Sequence, residues 1–242
     1  MAARAGANAK PRWNIGGAFA ERYREVVASI YIYNEHRGYT SLDRVLTTAR
    51  QVCPEDEAFI EAIAKHRADE RKHYLMFKNW FARQGRMPLA TGRGYGHIDR
   101  FIRMVFGCNI EELAVDLVVA DPELFEKLCR VIILTEQRGL VQVEELLRNP
   151  LIRQDRAMHG IFAIVHKDEP DHFLPYRGWL ERKQRSTGKR REVWADAFIH
   201  KVLLLVKLPG LFFRRHAPRM TEWPDAGEEQ EQRVAPELRA RS

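Results

Sequence analysis

The spacing of apolar residues along the chain predicts long α-helices. Between Ala18 and Val52 there is no proline, and apolar positions recur at steps of three and four residues, the period of one helix face. The Cys53-Pro54 pair breaks this pattern, because proline is rarely found inside a helix. A second helix is expected from Glu55 to Arg83, with one face made of Phe59, Ile63, His66, Glu70, His73, Phe77 and Trp80.

A glycine-rich connection separates these two helices from a second pair. Residues 84–108 mix glycines with basic and apolar residues and are expected to form a crossover, followed by a short helix capped by Asn109. Asp121-Pro122-Glu123 is a helix start, and the third helix should end at Asn149-Pro150. The fourth helix contains Pro170, where we expect a kink or a π-bulge.

One polar motif occurs twice within these apolar stripes. Asp69-Glu70-Arg71-Lys72-His73 and Asp168-Glu169-Pro170-Asp171-His172 each place a carboxylate and an imidazole three residues apart, hence on one helix face. Each copy follows a second repeated element, Glu35-His36-Arg37-Gly38 and Glu136-Gln137-Arg138-Gly139.

The distances between the repeated elements agree with two antiparallel helix pairs. Glu35 lies 35 residues before Glu70, and the midpoint between them falls on the Cys53-Pro54 break. Glu136 lies 33 residues before Glu169, but this midpoint falls about three residues past the predicted break, so the second pair fits less well.

Carboxylates in apolar stripes indicate a bound cation, because burying an unpaired carboxylate is very costly. Four glutamates and two histidines on otherwise apolar faces therefore predict a two-metal site inside a four-helix bundle. Oxygen and imidazole ligands suit iron or manganese, and zinc is also compatible. The predicted ligands are Glu35, Glu70, His73, Glu136, Glu169 and His172.

This ligand set resembles that of the ferritin-like carboxylate di-iron superfamily, over about residues 18–182. The resemblance implies an all-α, ferritin-like four-helix bundle with a long crossover. It further implies two iron ions, one held by Glu35, Glu70 and His73, with one or two glutamates bridging the pair. The second iron would be held by Glu136, Glu169 and His172.

The resemblance also suggests residues that support the ligands. Asp69 and Asp168 would each hold the histidine of the opposite half, since metal-bound histidines usually donate their other N–H to a carboxylate. Arg37 and Arg138 are candidates to pair with these two acids. His66 is expected to be a core histidine rather than a seventh ligand.

The glycines of the repeated elements leave two interpretations open. Gly38 and Gly139 each lie one turn beyond a predicted ligand, Glu35 or Glu136. They could leave room for dioxygen or substrate, or they could permit close packing of helices.

Two functions are compatible with this site. The first is an O2-dependent oxidoreductase, a hydroxylase, desaturase or related monooxygenase, that acts on an apolar, lipid- or quinone-like substrate and needs an electron donor. The alternative is a ferritin- or rubrerythrin-like protein that handles iron or removes peroxide. The complete, symmetric ligand set favours the first, since by resemblance ferritins usually lack a histidine in one half and rubrerythrins commonly add a cysteine-rich module.

Composition restricts partners and location. The three cysteines form no C-x-x-C pair and suit a reducing compartment, and the N-terminus shows no apolar signal segment. The net charge is +7, and residues 182–215 combine a basic run with an amphipathic helix. This region could contact a membrane peripherally or pack on the bundle as a fifth helix. We expect a cytoplasmic protein, peripheral on the inner face of the membrane if that contact forms.

These observations divide the chain into four parts. We expect a flexible arm over residues 1–16, the bundle over 17–183, a basic and amphipathic extension over 184–221, and a disordered tail over 222–242. No RNA-binding motif is evident, so nucleic acid is not an expected partner. A homodimer is compatible with the sequence.

Overall fold

The computed structural model is all-α, as predicted, and describes residues 15–92, 94–214 and 216–226. Within those ranges there is no β-strand, only an isolated bridge between Leu89 and Arg219. Almost all of the predicted N-terminal arm, and the predicted tail beyond residue 226, lie outside the described residues.

The first two helices form an antiparallel hairpin. α1 (Ile15–Val52) and α2 (Glu57–Arg83) are joined by the predicted break at Cys53-Pro54. α2 begins two residues later than expected because Asp56 caps it, accepting a 3.2 Å hydrogen bond from the Phe59 backbone N–H.

The crossover contains two short helices, α3 (His97–Phe106) and α4 (Val115–Ala120). The predicted helix start at Asn109 was wrong. Asn109 instead closes a turn, in which its side-chain amide donates to Glu112 Oε1 over 2.7 Å and its backbone N–H donates to Glu112 Oε2. The Asn109 side chain is therefore not available to cap a helix at this position, and α4 begins at Val115.

The second hairpin consists of α5 (Pro122–Arg148) and α7 (Arg156–Arg182), with the single turn α6 (Pro150–Arg153) between them. Asp121 and Asn149 cap α5 and α6 through their side-chain oxygens. The connection between α5 and α7 is centred on Ile152, almost equally far along the chain from Glu136 and Glu169. The apparent mismatch of the second half therefore arises because α6 lengthens this connection.

Pro170 does not produce the expected π-bulge. α7 is a continuous α-helix through both Pro170 and Pro175. Proline removes one backbone hydrogen bond, but its fixed φ angle is that of a helix. In the part of the chain that the structure describes, the π-helix is Leu203–Lys207, in the C-terminal extension.

The two hairpins pack against each other mainly through α2 and α7, and together they form what we call the four-helix core (α1, α2, α5, α7). Its apolar interior divides into two clusters. One, which includes Phe59, Phe125 and Trp179, lies towards one end, and the other, which includes Phe77 and Phe162, lies towards the opposite end. On α2 the change from one cluster to the other falls between Ile63 and Tyr74, and on α7 it falls between Val165 and Phe173, so Glu70 and Glu169 lie between the two clusters.

The C-terminal extension packs on this core through one face. α8 (Arg190–Val202), the π-helix Leu203–Lys207 and α9 (Leu208–Phe213) follow one another. Glu192 on α8 forms a buried bidentate ion pair with Arg130 on α5, at 2.9–3.0 Å. The extension is thus attached to the core by a specific contact, while its outer face remains exposed.

The exposed outer face is apolar. It carries large side chains that are between 48% and 76% exposed: Val193, Trp194, Phe198, Leu205, Val206 and Phe213. None of the described helices is long and apolar enough to cross a membrane.

The ordered chain continues into the predicted tail. Asp225 is buried and accepts hydrogen bonds from the Tyr74 hydroxyl at 2.6 Å and from Lys78 at 2.8–2.9 Å, both on α2. Polar composition alone suggested disorder from residue 222, but these bonds hold residues 222–226 against the core.

Candidate metal centre

The repeated glutamates and histidines meet in the middle of the four-helix core. Glu35, Glu70, His73, Glu169 and His172 are all buried, and the two histidines are fully inaccessible. The side chain of Glu136, at 18% exposed, is the most accessible of the predicted ligands.

Three of the predicted residues form a first ligand group. Glu35, Glu70 and His73 each offer one atom such that all three atoms lie within 4.8 Å of one another. His73 Nδ1 is 3.4 Å from Glu35 Oε2. This grouping has the same three residues that the resemblance implies for the first iron.

The second ligand group differs from the expected one. It contains His66, Glu70, Glu136 and His172, again within 4.8 Å of one another. Glu169 lies outside the group, with its Oε2 3.9 Å from His172 Nδ1. Glu70 belongs to both groups, so its carboxylate is the one positioned to bridge two ions.

His66 is the site residue whose role the sequence did not reveal. Its Nδ1 lies 3.2 Å from the Tyr176 hydroxyl, as expected of a core histidine, but its Nε2 faces the carboxylates. That atom is 3.7 Å from Glu70 Oε1 and 3.8 Å from Glu136 Oε1. Its position one helical turn before Glu70 was the available signal, since residues four apart share a helix face.

The cluster lacks the hydrogen bonds that buried polar atoms normally make. His66 Nε2, His73 Nδ1, His172 Nδ1 and Glu169 Oε2 are buried and find no hydrogen-bond partner among the described residues. Most buried polar side-chain atoms in proteins have such a partner. Ring nitrogens and carboxylates directed at one another without hydrogen bonds fit a bound cation.

The electrostatics of the cluster support the same interpretation. Burial and the nearby charge of Glu35 raise the pKa of Glu70 to about 8. Burial and repulsion from neighbouring carboxylates also hold the pKa values of Glu136 and Glu169 well above their usual range. Burial alone would lower the pKa of His73, but contact with Glu35 raises it to about 9. Without a cation, these carboxylates cannot all be ionised near neutral pH.

The two predicted aspartates contact the histidines of the opposite half. Asp168 Oδ2 is 3.0 Å from His73 Nε2, and Asp69 Oδ2 is 3.7 Å from His172 Nε2. In both histidines Nδ1 therefore faces the glutamates while Nε2 faces an aspartate. The hydrogen bond between Asp168 and His73 fixes the orientation of that imidazole, as is usual for a metal-binding histidine. Asp69 lies just beyond hydrogen-bond distance from His172, whose Nε2 has no hydrogen-bond partner among the described residues.

Lysines complete this layer, and the sequence did not reveal them. Lys72 Nζ lies 2.5 Å from Asp69 Oδ1 and 2.7 Å from Asp168 Oδ2, so it links the two halves. Lys65 Nζ contacts Asp69 and also Asp171, which occupies the position of Lys72 in the second copy of the motif. The two copies of the motif therefore carry opposite charges at this position, Lys72 and Asp171. Each of these residues forms an ion pair with a residue of the other half.

The predicted pairing of Arg37 and Arg138 with Asp69 and Asp168 was wrong. Arg37 pairs with Asp99 on α3 at 2.6 Å, and Arg138 pairs with Asp196 on α8 at 3.1 Å. Each arginine lies two residues after a glutamate, and residues two apart do not face the same side of a helix. The arginines therefore turn away from the aspartates beside the histidines.

These ion pairs extend the internal repeat beyond the four-helix core. Asp99 follows Glu70 by 29 residues, and Asp196 follows Glu169 by 27. α3 and α8 occupy equivalent places in the two halves and pack against each other, and both contact α5. Each half therefore contributes three helices. The third helix of the first half, α3, contacts α1, which carries Glu35-His36-Arg37-Gly38, and the third helix of the second half, α8, contacts α5, which carries Glu136-Gln137-Arg138-Gly139.

Gly38 and Gly139 make room for carboxylates of the neighbouring helix. A methyl group at Gly38 would lie well inside van der Waals contact with Glu70 Oε2, and one at Gly139 would be 3.3 Å from Glu169 Oε1. At Gly38 the missing side chain accommodates the Glu70 carboxylate, a role that the sequence did not predict.

No protein-family model, curated protein or solved structure matches this chain. The description of the site therefore depends on its residues, their burial and their distances.

We predict that Gly38→Ala weakens metal binding at least about tenfold, because the added methyl displaces Glu70 from both ligand groups. The dissociation constant for Mn²⁺ or Fe²⁺ measures this effect. Gly160→Ala on α7 is the matched control, since its methyl would meet no atom within 4 Å. Equal affinities of the two variants would contradict the role assigned to Gly38.

Asp168→Asn should lower metal affinity by about 10- to 100-fold, because it weakens the contact that orients His73. Asp171→Asn is the control, since Asp171 is a largely exposed neighbour that contacts Lys65. The prediction is wrong if Asp168→Asn binds the metal as tightly as Asp171→Asn does.

The metal-free protein should lose stability as pH rises from about 6.5 to about 9. Glu70 and His73 have folded-state pKa values of about 8 and about 9, above their ordinary values of 4.5 and 6.5. The folded state therefore binds more protons than the unfolded state, and this stabilisation is lost as pH rises through those values. Each kcal/mol lost should lower Tm by about 2–4 °C.

Thermal unfolding with and without bound Mn²⁺ provides the measurement. The metal takes the place of the protons, so the Tm of the loaded protein should depend less on pH over this range. Parallel curves for the two forms would contradict the prediction.

Proposed function

We propose that the four-helix core is a ferritin-like bundle with a two-iron centre, and that the protein is an O2-dependent oxidoreductase. The observation that carries this proposal is the pair of buried ligand groups that share Glu70. Manganese is the alternative metal, since the same oxygen and imidazole ligands suit it.

The residues fit the proposed ions as follows. Glu35, Glu70 and His73 would hold one ion, and His66, Glu70, Glu136 and His172 the other. Glu169 would supply a further carboxylate, as its buried Oε2 has no hydrogen-bond partner among the described residues. When bound and reduced, such a pair supplies the electrons that activate O2 for oxidation of an organic substrate.

The surrounding residues prepare the site for this chemistry. Asp168 orients His73 through a hydrogen bond, Asp69 lies 3.7 Å from His172, and Lys72 pairs with both aspartates at the outer side. The apolar clusters on either side exclude water from the cluster of charges, which strengthens every electrostatic interaction within it.

A cavity beside the helix segments that carry Glu35 and Glu136 favours the oxidoreductase over the iron-handling alternative. It measures about 220 Å³ and is lined mainly by apolar side chains of α1, α5 and the C-terminal extension. Storage of iron does not need a cavity for an organic molecule, whereas oxidation of an organic substrate does.

Peripheral membrane contact is part of the proposal. The exposed apolar residues of the extension, including Trp194, Phe198 and Phe213, support it, because aromatic and aliphatic side chains near basic residues suit a lipid interface. An apolar substrate could then reach the protein from the bilayer. An electron-donor protein or another reductant is also required.

The direct test uses iron-loaded, reduced protein mixed with O2 and a lipid extract. We predict O2 uptake and an oxygenated or unsaturated organic product, detected by mass spectrometry. Glu70→Ala should abolish both, since Glu70 belongs to both ligand groups, whereas Glu61→Ala on the exposed side of the same helix should not. Uptake of iron far beyond two ions per chain, without an organic product, would instead support the iron-handling alternative.

A further inference from the structure

The cavity between α1 and α5 is bounded on one side by the part of the chain that the resemblance does not cover. One wall comes from α1 through Val27 and Ile30, and another from α5 through Leu146. The remaining wall comes from the π-helix and the first residue of α9, through Leu203 and Leu208. The C-terminal extension therefore closes a cavity that the four-helix core alone would leave open.

The cavity lies beside the helix segments that carry Glu35 and Glu136, although none of the candidate ligands lines it. Tyr31 and Asn34 line it and precede Glu35 on α1, and Arg138 lines it two residues after Glu136. Burial and the charges of Glu169 and Glu35 raise the pKa of Tyr31. The Tyr31 hydroxyl and Asn34 Oδ1 are buried and have no hydrogen-bond partner among the described residues.

The extension carries an excess of positive charge. Residues 189–214 contain six lysines and arginines but two acids, Glu192 and Asp196. Both acids are already paired, Glu192 with Arg130 and Asp196 with Arg138 and His97. The positive charges of this segment are therefore not compensated from within it.

Lys207 brings one of these charges to the cavity. It lines the cavity from the π-helix, and its ammonium group lies 5.8 Å from the centre of the Tyr95 ring. No carboxylate of the described residues forms an ion pair with it. Glu145 also lines the cavity, but its side chain is exposed at the rim on α5.

We propose that this cavity is the substrate site and that it binds an organic anion with an apolar body, such as a fatty-acid-like carboxylate. The apolar body lies between α1, α5 and the π-helix, and the acidic group pairs with Lys207. The carbon to be oxidised then lies towards Tyr31 and Asn34. The assignment of this ligand as substrate rests on the proposed function, whereas its binding does not.

Calorimetric titration of the full-length protein with dodecanoate, dodecanol and dodecylammonium tests the proposal. Dodecanoate should bind most tightly, both to the protein as purified and after metal removal by a chelator. A protein that takes up no iron but still binds dodecanoate would refute the proposed function and would leave the anion site supported.

Two matched pairs of variants locate the binding. Lys207→Gln should weaken dodecanoate about fivefold and leave dodecanol unchanged, since one ion pair is lost. Lys201→Gln, an exposed lysine that does not line the cavity, should change neither. Leu203→Trp should block both ligands by filling the cavity, whereas Leu205→Trp, at an exposed position outside the cavity, should bind both normally.

Three results would overturn the proposal: dodecanoate binding no tighter than dodecanol, equal losses in Lys207→Gln and Lys201→Gln, or undiminished binding to Leu203→Trp. If Leu203→Trp does not fold, the lysine pair still decides the question. Comparison of free dodecanoate with phosphatidylglycerol and phosphatidylcholine vesicles distinguishes a soluble anion from an anionic lipid. Loss of vesicle binding in Lys207→Gln, with dodecanoate binding unchanged, would place the anion contact at the membrane surface and not in the cavity.

Discussion

Mutual repulsion among buried carboxylates is the constraint on which this structure depends. Glu35, Glu70, Glu136 and Glu169 come together between two apolar clusters, where burying one ion costs on the order of several kcal/mol. The chain offers them histidines, but the nitrogens that face the carboxylates make no hydrogen bonds among the described residues. Cations bound on either side of Glu70 would neutralise the carboxylates and would also bind the histidine nitrogens that have no hydrogen bond.

Support for the cluster is distributed over both halves of the chain. Each histidine faces an aspartate of the other half, with a hydrogen bond between His73 and Asp168, and Lys72 joins the two aspartates. The absence of a side chain at Gly38 leaves the space that the Glu70 carboxylate occupies. Outside this layer, the ion pair Arg37–Asp99 connects α1 with α3, and the ion pair Arg138–Asp196 connects α5 with α8. The C-terminal extension is therefore connected to the site region by ion pairs as well as by the cavity that it closes.

Helical periodicity and breaks at proline predicted the all-α class and most helix boundaries, and Asp121 caps α5 as predicted, whereas the caps Asp56 and Asn149 were not predicted. Periodicity could not decide between residues that share a face. His66 and Glu169 both lie on the correct stripes, and only tertiary packing determines that His66 Nε2 joins the second ligand group. The partners of Arg37 and Arg138 were missed for a similar reason, since Asp99 and Asp196 lie on helices whose docking no local pattern specifies. Asn109 failed as a predicted cap because its contact with Glu112 competes with the helix.

The central claim is that two metal ions occupy the cluster and share Glu70. Anomalous diffraction from crystals of the iron-loaded protein, collected on either side of the iron absorption edge, tests it most directly. The account predicts two peaks, one in contact with Glu35 and His73 and the other with His66, Glu136 and His172. A cluster without any anomalous peak, with its carboxylates held instead by protons and ordered water, would contradict it.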